Sequence, residues 1–255
     1  MDKYDFREDF NNDESDVTLW PHAAISPIKA HRFLLCKIPF FQALFHSSTC
    51  EASHTESKYA EAAGQIKFPE HSFAAVEAVI KFLYGHPIPN DLNQEDLKCS
   101  IYLAHMMQFR QYLESVPSSL LENVEWNELI NMAYHVEVAR YMEIAAQRLK
   151  RIAVAEGLKS EFLNDVLLDA YKVFRSTFIK LANDPKDTRI VHCDMIIANQ
   201  YADKRAEILT SLSEYRFYFW TEIEIYRVTK LEIINNFAWF KNHLLDIADA
   251  RKKRY

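Results

Sequence analysis

Ser15-Asp16-Val17-Thr18-Leu19-Trp20-Pro21, then Ala30-His31-Arg32-Phe33-Leu34-Leu35, then Pro39-Phe40-Phe41-Gln42-Ala43-Leu44-Phe45 are the stretches that decide the fold. Val17 to Trp20 is rich in β-branched and aromatic residues and stops at proline, the composition of a short strand. Ile25 to Ala30 reads as its hairpin partner. At His31 the apolar period changes, and Phe33, Leu34, Ile38, Phe41, Leu44 and Phe45 recur at helical spacing. Pro39 interrupts that run. Proline is tolerated in the first turn of a helix but not in its interior, so two short helices joined near Ile38-Pro39 are expected.

Downstream, Ser47 to Gly64 is a polar loop that leads into a strand, Gln65-Ile66-Lys67-Phe68, stopped by Pro69. Ser72 can cap a helix whose apolar face is Phe73, Val76, Val79, Ile80, Leu83 and Tyr84, with Gly85 closing it. Leu92 to Val116 carries Leu97, Ile101, Ala104, Met107 and Leu113 at helical spacing before Pro117. Helices are expected from about Glu125 to Glu137 and from Ala139 to about Val154, with Gly157 as the stop. Beyond it, Leu163, Val166, Leu167, Ala170, Tyr171 and Phe174 form one amphipathic stripe, broken at Asp184-Pro185. Ile190 to Tyr201, Ala206 to Phe219 and Thr221 to Ala250 read as further helices. The fold class is therefore α+β: a small sheet with a cluster of helices, followed by an all-helical C-terminal region.

These blocks resemble the opening of a BTB/POZ domain, whose pattern runs roughly S-D-V-x-apolar, then a-H-k-x-x-L, then S-x-x-F-x-a-apolar-F. Ile66-Lys67-Phe68 with Phe73, Val76, Val79 and Phe82-Leu83-Tyr84-Gly85 is similar to the family's next strand and helix, and Leu129 to Leu149 to its closing helix pair. The resemblance divides the chain into an N-terminal arm, 1–14, a BTB/POZ domain, 15–155, and a helical C-terminal region, 156–255. Insertions fall at about 47–64 and 88–124. Phe162 to Phe174 loosely resembles the tail of fungal-type BTB proteins.

The resemblance implies self-association and adaptor work, with cullin-type ubiquitin ligases as scaffolds for many members. The family's dimer interface often contains an Asp–basic pair, which maps onto Asp16 and Arg32; a charge beside an apolar strand is tolerated when paired. The other reading is that Asp16 caps or flanks the strand. Phe6 and Phe10 anchor the arm, which either swaps between partners, packs on its own chain or is mobile. Cullin-binding members carry an apolar-x-Glu motif that maps onto Thr49-Cys50-Glu51. Thr49 replaces the large apolar anchor, which forfeits about 1.5–3 kcal/mol of burial, or roughly tenfold to hundredfold in affinity. The aromatic that many adaptors place in the helix before the last is Val136 here, with Tyr134 nearby.

Composition narrows the remaining classes. A formal charge of −6 and a pI near 5.9 give no general attraction to nucleic acid or anionic membrane. No apolar run approaches the roughly 20 residues that span a bilayer, and the acidic N-terminus is unlike a signal peptide. Four scattered cysteines suit a reduced compartment, cytoplasm or nucleus. The three glycines, Gly64, Gly85 and Gly157, lie too far apart to cradle a phosphate, which excludes glycine-rich nucleotide loops and the G-x-S-x-G elbow.

Other clusters have plain explanations. His192-Cys193-Asp194 is the only local group of ligand types, and no second pair lies near it to complete a zinc site. His31 reads as a hydrogen-bonded structural residue rather than a base. Glu122, Glu125, Glu128, Glu222 and Glu224 read as solvated helix faces. Arg251-Lys252-Lys253-Arg254 is a nuclear-import or anionic-surface patch, or cations complementing a helix C-terminus, the second being favoured. The aromatic run Tyr215, Phe217, Tyr218, Phe219, Trp220 and Tyr226, with Phe237, Trp239 and Phe240 beyond, reads first as core and next as a partner groove.

The expected function is a protein-interaction adaptor that associates with itself and other proteins, with recruitment to a cullin-type ubiquitin ligase as one outcome. The alternative is an oligomerising scaffold or transcription-associated protein with no ubiquitin role. No enzyme activity, cofactor, metal, direct nucleic-acid contact or membrane contact is expected.

Overall fold

The computed structural model describes residues 6–47, 64–151, 163–183 and 187–201, and the short strands at 219–220 and 225–226. β1 (Val17–Pro21) forms where its β-branched and aromatic residues predict it, burying Val17, Leu19 and Pro21 in strict alternation. β2 (Ile28–Ala30) pairs with it antiparallel, Val17 opposite Ala30 and Leu19 opposite Ile28. β3 (Gln65–Phe68) lies on its other side in parallel, Leu19 opposite Ile66 and Pro21 opposite Phe68, giving the order β2-β1-β3. Proline sits in this central strand at no cost to the ladder. The Thr18 and His22 N–H groups face the β3 side, so position 21 faces β2, where pairing has already ended at Leu19. β2 is shorter than the Ile25 start expected of it, because residues 22–27 make the connection and Ala23 adopts a positive φ of 52°.

α1 (Arg32–Leu35) and α2 (Pro39–Ser47) are the two short helices split at Pro39. Their buried residues Leu34, Leu35, Ile38, Phe41 and Phe45 cover the sheet's apolar set with Ile66 and Phe68. The polar loop expected from Ser47 to Gly64 falls, from residue 48 to 63, outside the described residues. α3 (Phe73–Leu83) starts on the Ser72 hydroxyl, which accepts the Ala75 N–H at 3.2 Å, and ends at Gly85 with φ +96°. Its face differs at the first position, where Phe73 is partly exposed.

The segment from Leu92 to Val116 is not one helix. α4 (Gln94–Met106) and α5 (Arg110–Ser115) are separated at Gln108, whose φ is +58°. Apolar spacing continues through the break, which is why periodicity does not show it. α6 (Ser118–Glu122) follows Pro117, then α7 (Trp126–Val136) and α8 (Ala139–Arg151).

The chain gathers into two compact units, one up to Val124 with Met132–Ile144, the other Glu125–Asn131 with residues from Ala145 on. In the first, the buried hydroxyls of Ser100, Tyr112 and Tyr141 are satisfied within the unit. Tyr112 Oη donates to Ser100 Oγ at 3.0 Å, Ser100 donates on to the Leu97 carbonyl at 2.8 Å, and Tyr141 Oη donates to the Leu113 carbonyl at 2.7 Å. Burial pushes the Tyr112 phenol up to about 12. The Arg140 guanidinium donates to the Glu114 carbonyl at 2.7 Å and to Ser118 Oγ at 2.8 Å, closing α5 and α6 onto the α7–α8 turn.

In the second unit, α9 (Leu168–Ala182) and α10 (Thr188–Gln200) carry the core residues Ala170, Phe174, Phe178, Ile190 and Ile197. The stripe beginning at Leu163 is helical only from Leu168. Leu163 and Val166 are buried from a turn held by Asn131, which donates to the Asp165 carbonyl at 2.9 Å and accepts the Leu167 N–H at 2.8 Å. Trp126 Nε1 donates to the Ala145 carbonyl at 3.0 Å, with its ring edge-on to Phe174. α9 stops at Asn183, in the left-handed conformation ahead of Asp184-Pro185. The all-helical expectation fails at 219–220 and 225–226. Phe219–Trp220 pairs antiparallel with Ile225–Tyr226, as suits aromatic and β-branched residues.

Candidate functional site

Of the residues singled out in the sequence, Phe6, Phe10, Asp16 and Arg32 lie where the N-terminal arm, α1 and the end of α3 meet. The arm makes a turn of 3-10 helix at Arg7–Asp9 and lies against its own chain. The Phe6 ring meets the Phe33 ring edge-on at 5.7 Å, and Lys37 Nζ sits 5.0 Å over it. The Phe10 ring meets Tyr84 at 5.4 Å and His86 at 6.0 Å, with Lys81 Nζ 5.4 Å above it. Main-chain contacts fix the register. His86 Nε2 donates to the Arg7 carbonyl at 3.1 Å, and Asn11 Oδ1 accepts the Lys29 N–H at 2.7 Å. Asp13 pairs with the Lys29 ammonium, which holds the carboxyl below its ordinary range.

Asp16 and Arg32 do come together, but not as two side chains. The Asp16 carboxylate accepts the Arg32 backbone N–H at 2.7 Å, while the guanidinium lies 4.2 Å over the Phe45 ring. Asp16 is exposed in the single chain. Its role there is to cap α1 from the position just before β1, since the first N–H groups of a helix have no partner within it. Asp16→Ala is expected to cost about 1 kcal/mol in urea denaturation and Asp16→Asn much less, because an amide oxygen caps nearly as well. Equal losses for the two would show that charge matters rather than the cap.

His31 precedes α1 and is hydrogen-bonded as expected, to a partner the sequence did not indicate. Its N–H donates to Tyr84 Oη at 2.8 Å, and its Nδ1 lies 2.9 Å from the same oxygen. A phenol oxygen both accepts and donates, so Tyr84 serves the His31 amide and its imidazole together. Burial pushes the Tyr84 phenol up to about 12.

Phe33 is the residue that sequence reasoning missed. It was counted with the apolar face, yet it is 58% exposed. A signal was present: Phe33, Leu34 and Leu35 are consecutive, and three successive helical residues sweep about 200°, too wide an arc to bury against one sheet.

Of the residues assigned to a cullin contact, Thr49 and Glu51 lie outside the described residues. Tyr134 is exposed on α7, edge-on to His135. Val136 is 1% exposed, so its side chain faces the core and offers a partner nothing to touch; i and i+2 lie on different faces of a helix.

Elsewhere, Cys193 and Asp194 are buried, and Asp194 is engaged by Arg175 and Tyr171. Among the described residues no three His, Cys, Asp or Glu side chains gather where a metal could be held. None of the described helices is long and apolar enough to cross a membrane.

Compared with known proteins, residues 6–124 match the family model of the BTB/POZ domain. No curated protein matches the chain. BTB/POZ domains are interaction modules that mediate protein–protein contact and self-association.

Proposed function

We propose that the chain, whose residues 6–124 match the BTB/POZ family model, is an interaction adaptor that self-associates through the face made by its arm and α1. The observation that carries this reading is Phe33, a large aromatic side chain left 58% exposed beside the half-buried Phe6 ring. Aromatic residues are enriched in interface cores, and burying such a ring contributes about 1.5–3 kcal/mol. Lys37 at the margin supplies the polar rim such patches carry.

Light scattering tests it. At about 50 micromolar the wild type is expected as a dimer, since a Kd of about 1 micromolar leaves mostly complex at that concentration. Phe33→Glu is expected to be monomeric with unchanged helicity. A wild type that stays monomeric sinks the reading.

Cullin recruitment is the finer reading, and the exposed Tyr134 favours it over a scaffold with no ubiquitin role. Mixing the chain with a cullin N-terminal fragment is expected to give a larger species that Tyr134→Ala and Glu51→Lys each weaken, by about tenfold for loss of the aromatic anchor. A mixture that never shifts leaves the scaffold alone.

A further inference from the structure

We infer that Ser26, at the tip between β1 and β2, is a phosphorylation site for a proline-directed serine/threonine kinase. Ser26 is the only Ser or Thr in the chain that precedes a proline, and Lys29 follows three residues on. The fold presents these groups together. Ser26 is exposed and its hydroxyl makes no hydrogen bond among the described residues. Ile28 is buried at 1%, whereas Pro27 and Lys29 on either side of it remain partly accessible. Extended backbone alternates its side chains, so Pro27 and Lys29 share the outward face while Ile28 anchors the segment. β2 is an edge strand, paired on one side only by β1. The bend at Ile25–Ser26 leads directly into this edge strand, so an incoming enzyme meets the hydroxyl and the residues after it without having to melt a helix.

Each element of the motif has a physical reason. An apolar kinase pocket just after the hydroxyl accepts proline, which has no N–H, and rejects other residues whose amide would go unpaired there. Lys29 supplies a cation on the same face. Its pairing with Asp13 is surface-exposed, so little opposes its release. In the reaction Ser26 Oγ attacks the γ-phosphorus of ATP, the bond to the β-phosphate oxygen breaks, ADP leaves and the hydroxyl proton is lost. The product is a dianion beside Ile25, which is fully exposed. It converts an apolar tip into a charged one without disturbing a fold contact.

The folded full-length chain is incubated with ATP and a cyclin-dependent kinase, and sites are mapped by mass spectrometry. One phosphate is expected, on Ser26, and none in Ser26→Ala. Pro27→Ala is expected to slow the initial rate by about tenfold, the effect of one unpaired amide. Lys29→Gln is expected to slow it a few-fold, with the thermal midpoint of the phosphorylated chain unchanged. Failure to modify Ser26 in the folded chain overturns the inference, even if the denatured chain is modified. So does a Ser26 rate indifferent to Pro27→Ala.

Discussion

Phe41→Ala is expected to lower the unfolding free energy of the sheet-bearing unit by about 3–5 kcal/mol, the range for removing a fully buried phenylalanine. Phe41 is fully buried, and its ring contacts those of Phe40, Phe45 and Phe68. Through the Phe68 ring it joins α2 to β3. The lost transfer energy and the cavity both contribute, and the ring-to-ring contacts that surround it make collapse into the gap difficult. Phe40→Ala is the comparison: Phe40 is half-buried beside the same rings and is expected to cost less than half as much. Urea denaturation followed by circular dichroism measures both. Similar losses at the two positions would mean that α2 does not hold the sheet through Phe41.

Asp194→Leu is expected to destabilise the helical unit by about 3–5 kcal/mol, the cost of breaking a buried ion pair from one side. The Asp194 carboxylate accepts from Arg175 Nε at 2.9 Å and from Tyr171 Oη at 2.5 Å, with all three side chains buried. Burial pushes the carboxyl upward, against the opposing pull of the guanidinium and the phenol. The charge is thus tolerated because of its partners, and the pair fixes the register of α10 on α9. Adding Arg175→Met to Asp194→Leu is expected to recover most of the loss, since a pair replaced by apolar residues of similar size is often neutral. A double variant no better than the single one would show that the partners stabilise rather than merely specify.

Much of the first unit was legible along the chain. Val17 to Trp20 has the composition of a strand, Pro39 can only begin a helix, and Ser72 and Gly85 bracket α3 with a hydroxyl cap and a left-handed stop. Each of these is a local effect in which backbone sterics or one side chain decides the outcome. The helix break at Gln108 was less legible: it is not glycine and no proline follows it, yet it takes the left-handed conformation between α4 and α5. The stop at Asn183 was legible from the Asp184-Pro185 that follows, and asparagine is a common left-handed cap.

The candidate surface was legible as a set of positions and not as contacts. Asp16 and Arg32 were paired from their places in the motif, but the guanidinium lies over Phe45 and the carboxylate takes a backbone amide. Between Val17 and Gly85 the sequence by itself determined which segments become strands and helices, through periodicity, proline and caps that act within a few residues. Only the tertiary structure decided that Phe33 faces outward, Val136 inward, and His31 toward Tyr84, fifty-three residues away. Those outcomes depend on which side of each element meets the core, and distant parts of the chain settle that when they pack.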